Sequence, residues 1–526
     1  MNMRKLIQNS RRMTVRQAPL LCAVAAAGLV ATQAMSARAS VLVAGSPGYD
    51  SATDTGLKEG YTSWAPGWVV NNSGTAVGYS WKYVSGSHLG DRAVRWDASG
   101  TAATELGVLG TNSSGSASAI AHSVNDAGTA VGSSSKYVSG SYVGDRAVRW
   151  NASETAATEL DSLGTDSNGT TTARAYALNN AGTAVGYSEK YNASNVSLGS
   201  RAVRWDASGT AATELGVLGT TSSGFTTSRA YAINEAGTAV GYANKSVSGS
   251  FRGVRAVRWD ASGTAATELG NLGLSSTGFT SAYAYAVNDA GTAVGIADKY
   301  VSGTKVGIRA VRWDASGTAA TELGNLGLRS TGDTTAYAYA VNDAGTAVGW
   351  SAKYVAGSDV GARAVRWDAS GTAATELGNL GTDSGGYTSS QAYAVNGAGT
   401  AVGYADKYVS GSRVGSRAVV WLPDASALDL NDLGVVANPN DGTWVLTQAK
   451  ALSEDGWVAG IGTFDPTGVG AAYSRNWVAQ IGLGGNWLNT TGSNNTWGTG
   501  KNWSTGTPAI QLDARFTANA TYHRAL

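Results

Sequence analysis

The chain of 526 residues holds one cysteine and three histidines, and only 14% of it is charged. Cys22 lies in the N-terminal apolar stretch, so the remainder can form no disulfide and carry no thiolate chemistry. His88, His122 and His523 stand far apart without metal-ligand spacing, which argues against a histidine zinc site or a histidine-based triad. No metal and no cofactor is expected. The 38 basic and 37 acidic residues are interspersed and leave a net charge of +1, so no field draws nucleic acid or an anionic membrane. Past the N-terminus, no apolar run is long enough to span a bilayer. Phenylalanine is scarce at 5 residues, whereas tyrosine (23), tryptophan (17) and glycine (71) are plentiful. That mix suits many short strands joined by tight turns.

The first residues read as an export signal. Arg4, Lys5, Arg11, Arg12 and Arg16 precede the apolar run Ala18 to Val30, and Ala37-Arg38-Ala39 matches a small-x-small cleavage site. Residues 1–39 are assigned to the signal, with a mature start at Ser40. Ser10-Arg11-Arg12 also leaves the twin-arginine route open beside the general one.

The rest of the chain repeats itself. Ala-Gly-Thr-Ala-Val-Gly or a near variant ends at Gly78, Gly132, Gly186, Gly241, Gly295, Gly349 and Gly403, with a degenerate copy at Asp455 to Gly460. Arg-Ala-Val-Arg-Trp ends at Trp96, Trp150, Trp205, Trp259, Trp313 and Trp367, and Arg-Ala-Val-Val-Trp ends at Trp421; the spacing is 54 or 55 residues. Trp477 marks an eighth unit. In the unit beginning at Tyr337, strands are expected at 337–341, 346–351, 363–367 and 372–377. Asn342-Asp343-Ala344-Gly345 and Asp368-Ala369-Ser370-Gly371 supply turn chemistry. Residues 353–361 are expected to form a polar loop. Four antiparallel strands per period make an all-β chain, a β-propeller of eight four-stranded blades over residues 40–482. Seven blades is the alternative count, and a β-solenoid or open array the alternative architecture. The last unit lacks a fourth strand, and Ser40 to Ala44 is a spare apolar strand expected to complete it.

These repeats resemble the HAF-type extracellular repeat family, whose units carry Asn-x-x-Gly-x-x-Val-Gly and Leu-Gly-x-Leu-Gly. Asn288 to Gly295 and Leu269 to Gly273 match that pattern. The resemblance implies an exported, cell-surface or extracellular protein, with little chemistry to transfer. Residues 483–526 differ. Their Trp497 to Pro508 stretch is similar to the opening of autotransporter-associated surface β-solenoid regions, and no anchor follows before Leu526, which points to a truncated relative or a released protein.

Candidate residues follow from register. Glu105, Glu159, Glu214, Glu268, Glu322 and Glu376 recur in equivalent places, and so do Asp97, Asp206, Asp260, Asp314 and Asp368. A glycosidase needs one specialised acid pair, so six equal copies indicate a structural role. With a four-residue loop at Asp206 to Gly209, Trp205 would face Thr210 and Arg201 would face Glu214 as a cross-strand ion pair. The Lys-Tyr pairs, such as Lys299-Tyr300 and Lys353-Tyr354, are read either as a solvated loop or as a multivalent binding set. Trp68, Tyr176, Tyr231, Tyr285, Tyr339 and Tyr393 lie three residues before the turn Asn, with His122 in the same register as a drifted packing residue. On an innermost strand they would ring the channel, either filling wedges or contacting a ligand. The resulting expectation is a monomeric, non-enzymatic adhesive or scaffolding protein with a glycan or cell-envelope protein as partner. The alternative is a propeller-type glycoside hydrolase or lyase with its site in the divergent stretch Leu422 to Arg475.

Overall fold

The computed structural model describes residues 41–42, 56–58, 69–98, 103–432, 443–465 and 472–481. The signal assigned to residues 1–39 and the segment 483–526 fall outside them. The described residues are all β, in six hydrogen-bonded sheets. One sheet of twelve strands is three blades joined by short parallel bridges, Gly253 to Thr280 and Gly307 to Thr334. The blades therefore number eight, and the seven-blade alternative is set aside. Blade 5 is representative, with strands Thr280–Val287, Ala293–Val301, Thr304–Trp313 and Ala320–Glu322 in antiparallel order. First strands of successive blades touch one another and line the axis.

Blade 8 is built from both ends of the chain. Thr443–Leu452, Trp457–Asp465 and Tyr473–Gln480 supply three strands, and Val41–Leu42 pairs with the last, Val41 opposite Ala479 and Leu42 opposite Val478. The ring closes because neither edge can stay open without exposing unpaired backbone groups.

Small residues let the sheets approach, and each interface between neighbouring blades holds its own buried cluster. Between blades 4 and 5 it joins Val240, Ala256 and Leu269 to Ala282, Ala284, Ala293 and Trp313. Between blades 8 and 1, Ala451, Ala459 and Val478 meet Val70, Ala76, Val94 and Trp96. The repeated Trp is fully buried and needs a partner for its N–H. Trp313 Nε1 donates to Gly270 O of the preceding blade at 2.9 Å, which accounts for the Leu-Gly segment: Gly270 has no room for a Cβ beside Thr318 O at 2.8 Å.

Polar staples accompany the cores. The second Arg of each motif reaches the next blade. Arg258 donates from Nη1 to Ala315 O at 2.7 Å and from Nη2 to Asp314 O at 2.8 Å. The turn Asn does the same on its own face. Asn234 Nδ2 donates to Asn288 O at 2.9 Å, Asn288 Nδ2 to Asn342 O at 2.8 Å, and Asn342 Nδ2 to Asn396 O at 2.7 Å. At the closure, Glu454 N–H donates to Asn72 Oδ1 at 2.9 Å. The Asx turn is as expected, with Asn288 Oδ1 accepting from Thr292 N at 2.8 Å and Gly291 at φ +85°.

Two expectations are corrected. The stretch 353–361 is a hairpin rather than a loop, because Ala347–Val355 and Ser358–Trp367 pair up to Val355 opposite Ser358. Its two-residue turn, Ala356-Gly357, has φ +49° and +81°, the pair of positive angles that matches strand twist. The link between third and fourth strands is also longer than four residues. Trp205 faces Ala212, and Val203 faces Glu214. Thr210 cannot pair with Trp205 because its carbonyl accepts from Asp161 N of the preceding blade at 2.8 Å.

Candidate functional site

The side chains singled out at the axis come together. In the first strands of blades 2 to 7 the ladder skips one residue, a β-bulge, and the skipped residue is the aromatic one: Tyr176, Tyr231, Tyr285, Tyr339 and Tyr393, with His122 in blade 2. A bulge re-aims a side chain out of the alternating pattern. The rings then meet across blade boundaries. His122 and Tyr176 centroids are 5.7 Å apart, Tyr176 and Tyr231 5.9 Å, Tyr231 and Tyr285 6.2 Å, Tyr285 and Tyr339 6.3 Å, and Tyr339 and Tyr393 5.9 Å. The five tyrosines are half-buried and His122 is buried. Trp68, the sixth residue proposed for this register, lies outside the described residues.

A second tier backs the arc. Tyr231 packs on Tyr242, Tyr393 on Tyr404, and Tyr337 stacks on Trp350 at 5.1 Å and 10°. Trp350 Nε1 donates to the Tyr339 hydroxyl at 3.0 Å. Burial, with neighbouring phenols adding to it, pushes the hydroxyls of Tyr231, Tyr285 and Tyr393 up. These hydroxyls stay protonated at neutral pH and can both donate and accept.

Two cations enter this aromatic wall. Arg229, two residues before Tyr231, lies over the Tyr187 ring at 4.2 Å from the centroid. Lys450 lies three residues before the turn residue Ser453, in the register the tyrosines hold elsewhere. The ladder skips it as well, and its Nζ stands 4.0 Å from the Tyr393 centroid. Burial lowers its ammonium to about 8. Sequence reading passed over Lys450 because the last unit lacks the Asn of the motif; counting back from Ser453 finds it. It also passed over Arg229, which looks like one more variable residue in an exposed face.

The repeated acids lie elsewhere and are engaged. Glu322 Oε1 meets Arg309 Nε at 3.1 Å and its Oε2 meets Lys299 Nζ at 2.5 Å. The same triad recurs at Glu105, Glu159, Glu214, Glu268 and Glu376. The Arg–Glu pair was expected, but the Lys was not. Lys299 is skipped in its ladder between Asp298 and Tyr300, and the bulge turns it toward Glu322. The Lys-Tyr pairs are thus part of the blade's frame, with Tyr300 N–H donating to Leu272 O at 3.1 Å. In the divergent stretch, Asp429 and Asp432 both hold Lys407, at 2.8 and 2.9 Å, and Glu454 Oε2 accepts from Gly397 N at 2.7 Å. Among the described residues, no group of three His, Cys, Asp or Glu is placed to hold a metal ion.

Comparison with known proteins adds little beyond architecture. A family described as a protein of unknown function (DUF3466) matches residues 143–298. No curated protein matches. Among solved structures, the β-propeller domain of the trilobed protease from Pyrococcus furiosus is similar at 8% identity and a TM-score of 0.40, over 72% of this chain and 99% of that one. Pyrococcus horikoshii acylaminoacyl peptidase is similar at 9% identity and a TM-score of 0.35, over 78% of this chain and 57% of its own. The GH74 xyloglucanase from Xanthomonas campestris is similar at 11% identity and a TM-score of 0.38, over 84% and 69%.

Proposed function

We propose that the chain is an exported, non-enzymatic binding propeller of the HAF-like kind, adhesive or scaffolding in role, which takes a glycan of the cell surface or its surroundings at the axial tyrosines. The observation that carries this reading is the contiguous arc from Tyr176 to Tyr393, with each ring about 6 Å from the next across a blade boundary. Aromatic faces stack on the apolar faces of sugars, and neutral hydroxyls at their rims satisfy sugar hydroxyls. The five positions share one environment, which suits a polymer of like units better than a single reacting bond. The engagement of Asp429, Asp432 and Glu454 in structural contacts supports binding over hydrolysis.

The test is a binding screen of the chain from Ser40 to Leu526 against soluble polysaccharides, with products checked for cleavage. Saturable binding without cleavage is expected, and the paired variant Tyr285→Ala, Tyr339→Ala should weaken it at least about tenfold, since one aromatic contact contributes about 1 kcal/mol. Cleavage, or binding indifferent to the tyrosines, would overturn the reading.

A further inference from the structure

Two cations flank the tyrosine arc. Lys450 in blade 8 and Arg229 in blade 4 both lie against the aromatic wall, and four blades in a ring of eight separate them, so they stand on opposite sides of the axis. No carboxylate among the described residues forms an ion pair with either. Arg229 Nε, like that of Arg174, is buried without a hydrogen-bond partner, and among the described residues Lys450 Nζ meets the face of Tyr393. Three half-buried lysines and the equivalent arginine of blade 3 are treated differently. Lys299, Lys353 and Lys407 each hold a carboxylate, and Arg174, which occupies in blade 3 the place of Arg229, is paired with Asp145 at 2.8 Å. Placing an ammonium or guanidinium against rings without a counter-charge is costly unless an anion arrives from outside. Blades 2 to 7 show that an imidazole or a phenol fits at the place of Lys450, so the fold does not require a lysine there.

We infer that the axial site selects an acidic glycan, a polyuronate whose carboxylates are met by Lys450 and Arg229 while its sugar faces lie on the tyrosines. This rests on the glycan reading above and specifies its substrate class. A chain that crosses the axis presents carboxylates at intervals along its length, which fits two cations on opposite walls better than a single anion would. Neutral glycans then bind by stacking alone, and each charge-assisted hydrogen bond adds affinity for the acid form.

The experiment is calorimetric titration of the chain from Ser40 to Leu526 with a polygalacturonate oligomer and with the same oligomer fully methyl-esterified, which removes the charge and keeps the sugar. The acid is expected to bind about tenfold or more tighter than the ester, the scale of one charge-assisted hydrogen bond. Lys450→Met and Arg229→Met should each lower binding of the acid more than binding of the ester and so narrow that gap, and Lys450→Arg should keep it. Thermal melts of the variants show that the ring is still formed. Equal binding of acid and ester by the wild type, or a gap that survives in both Met variants, overturns the acidic selectivity and leaves the glycan site standing. Binding of neither form, with a neutral glucan also inert, overturns the glycan reading itself.

Discussion

The seams that follow blades 1 to 6 and the seam between blades 7 and 8 solve one packing problem in two ways. In the regular blades the second Arg of the motif hooks the backbone of the next blade's outer turn, as Arg258 does with Asp314 and Ala315. In blade 8 the outer strand is Val41–Leu42, from the other end of the chain. The Arg of blade 7 is accordingly replaced by Val420, which is buried with Leu430, Leu446, Trp477 and Ile481. The lesson is that the motif is conditional. Its polar residues follow the backbone groups that neighbours present, and where the chain's ends meet the same place turns apolar. The axial register departs in the same blade, where Lys450 replaces a tyrosine.

The comparison is broken most severely by exchanging the two solutions. Val420→Arg should destabilise the ring by about 3–5 kcal/mol, since a buried guanidinium would find no carbonyls to hold. The reciprocal Arg258→Val should cost less, about 2 kcal/mol, because the orphaned carbonyls lie partly open to water. Chemical denaturation of both variants checks the ranking, and equal costs would mean that blade 8 is no exception.

Lys450→Met probes the second departure. Burial holds the folded ammonium at about 8 against an ordinary lysine value of about 10.5 in the unfolded chain. Below pH 8 the wild type carries the full penalty of keeping the charge. Between 8 and 10.5 the unfolded chain binds more protons than the folded one, so wild-type stability rises with pH. The Met variant should therefore be the more stable by on the order of 2–3 kcal/mol at pH 7, with the difference shrinking toward pH 10.5. Melts of both proteins across that range measure it, and a difference independent of pH would place the ammonium in water.

The smallest effect belongs to the repeated triads. Glu322 is about one-third exposed (side chain 30%), so Glu322→Gln should cost below about 1 kcal/mol despite its two cationic neighbours. A larger loss would mean that the triad, and not the Arg staples, holds the blade together.

Much of this was legible beforehand. The Trp spacing set the number of blades, and the alternation of Ala with Tyr located the first strands. Of the spare apolar strand expected at 40–44, Val41–Leu42 found its place in blade 8. The hairpin at 353–361 was misread because its side chains are polar and vary, although the Ser-Gly and Ala-Gly pairs at its tip carry the turn signal. Thr210 was misplaced because its carbonyl belongs to another blade, which no local pattern reveals. At the axis, register alone aligned the tyrosines; that they touch required the bulges.

Sequence by itself determined the repeat, the strand order and the Asx turn after the first strand, because these depend on side-chain alternation and on local backbone chemistry at Asn and Gly. Tertiary structure alone decided that Lys299 reaches Glu322, that Val420 is right where Arg258 is right elsewhere, and that Lys450 joins the tyrosines. Each of these depends on groups well separated in the chain, 23 residues for Lys299 and Glu322 and about 60 for the other two, brought together only by folding.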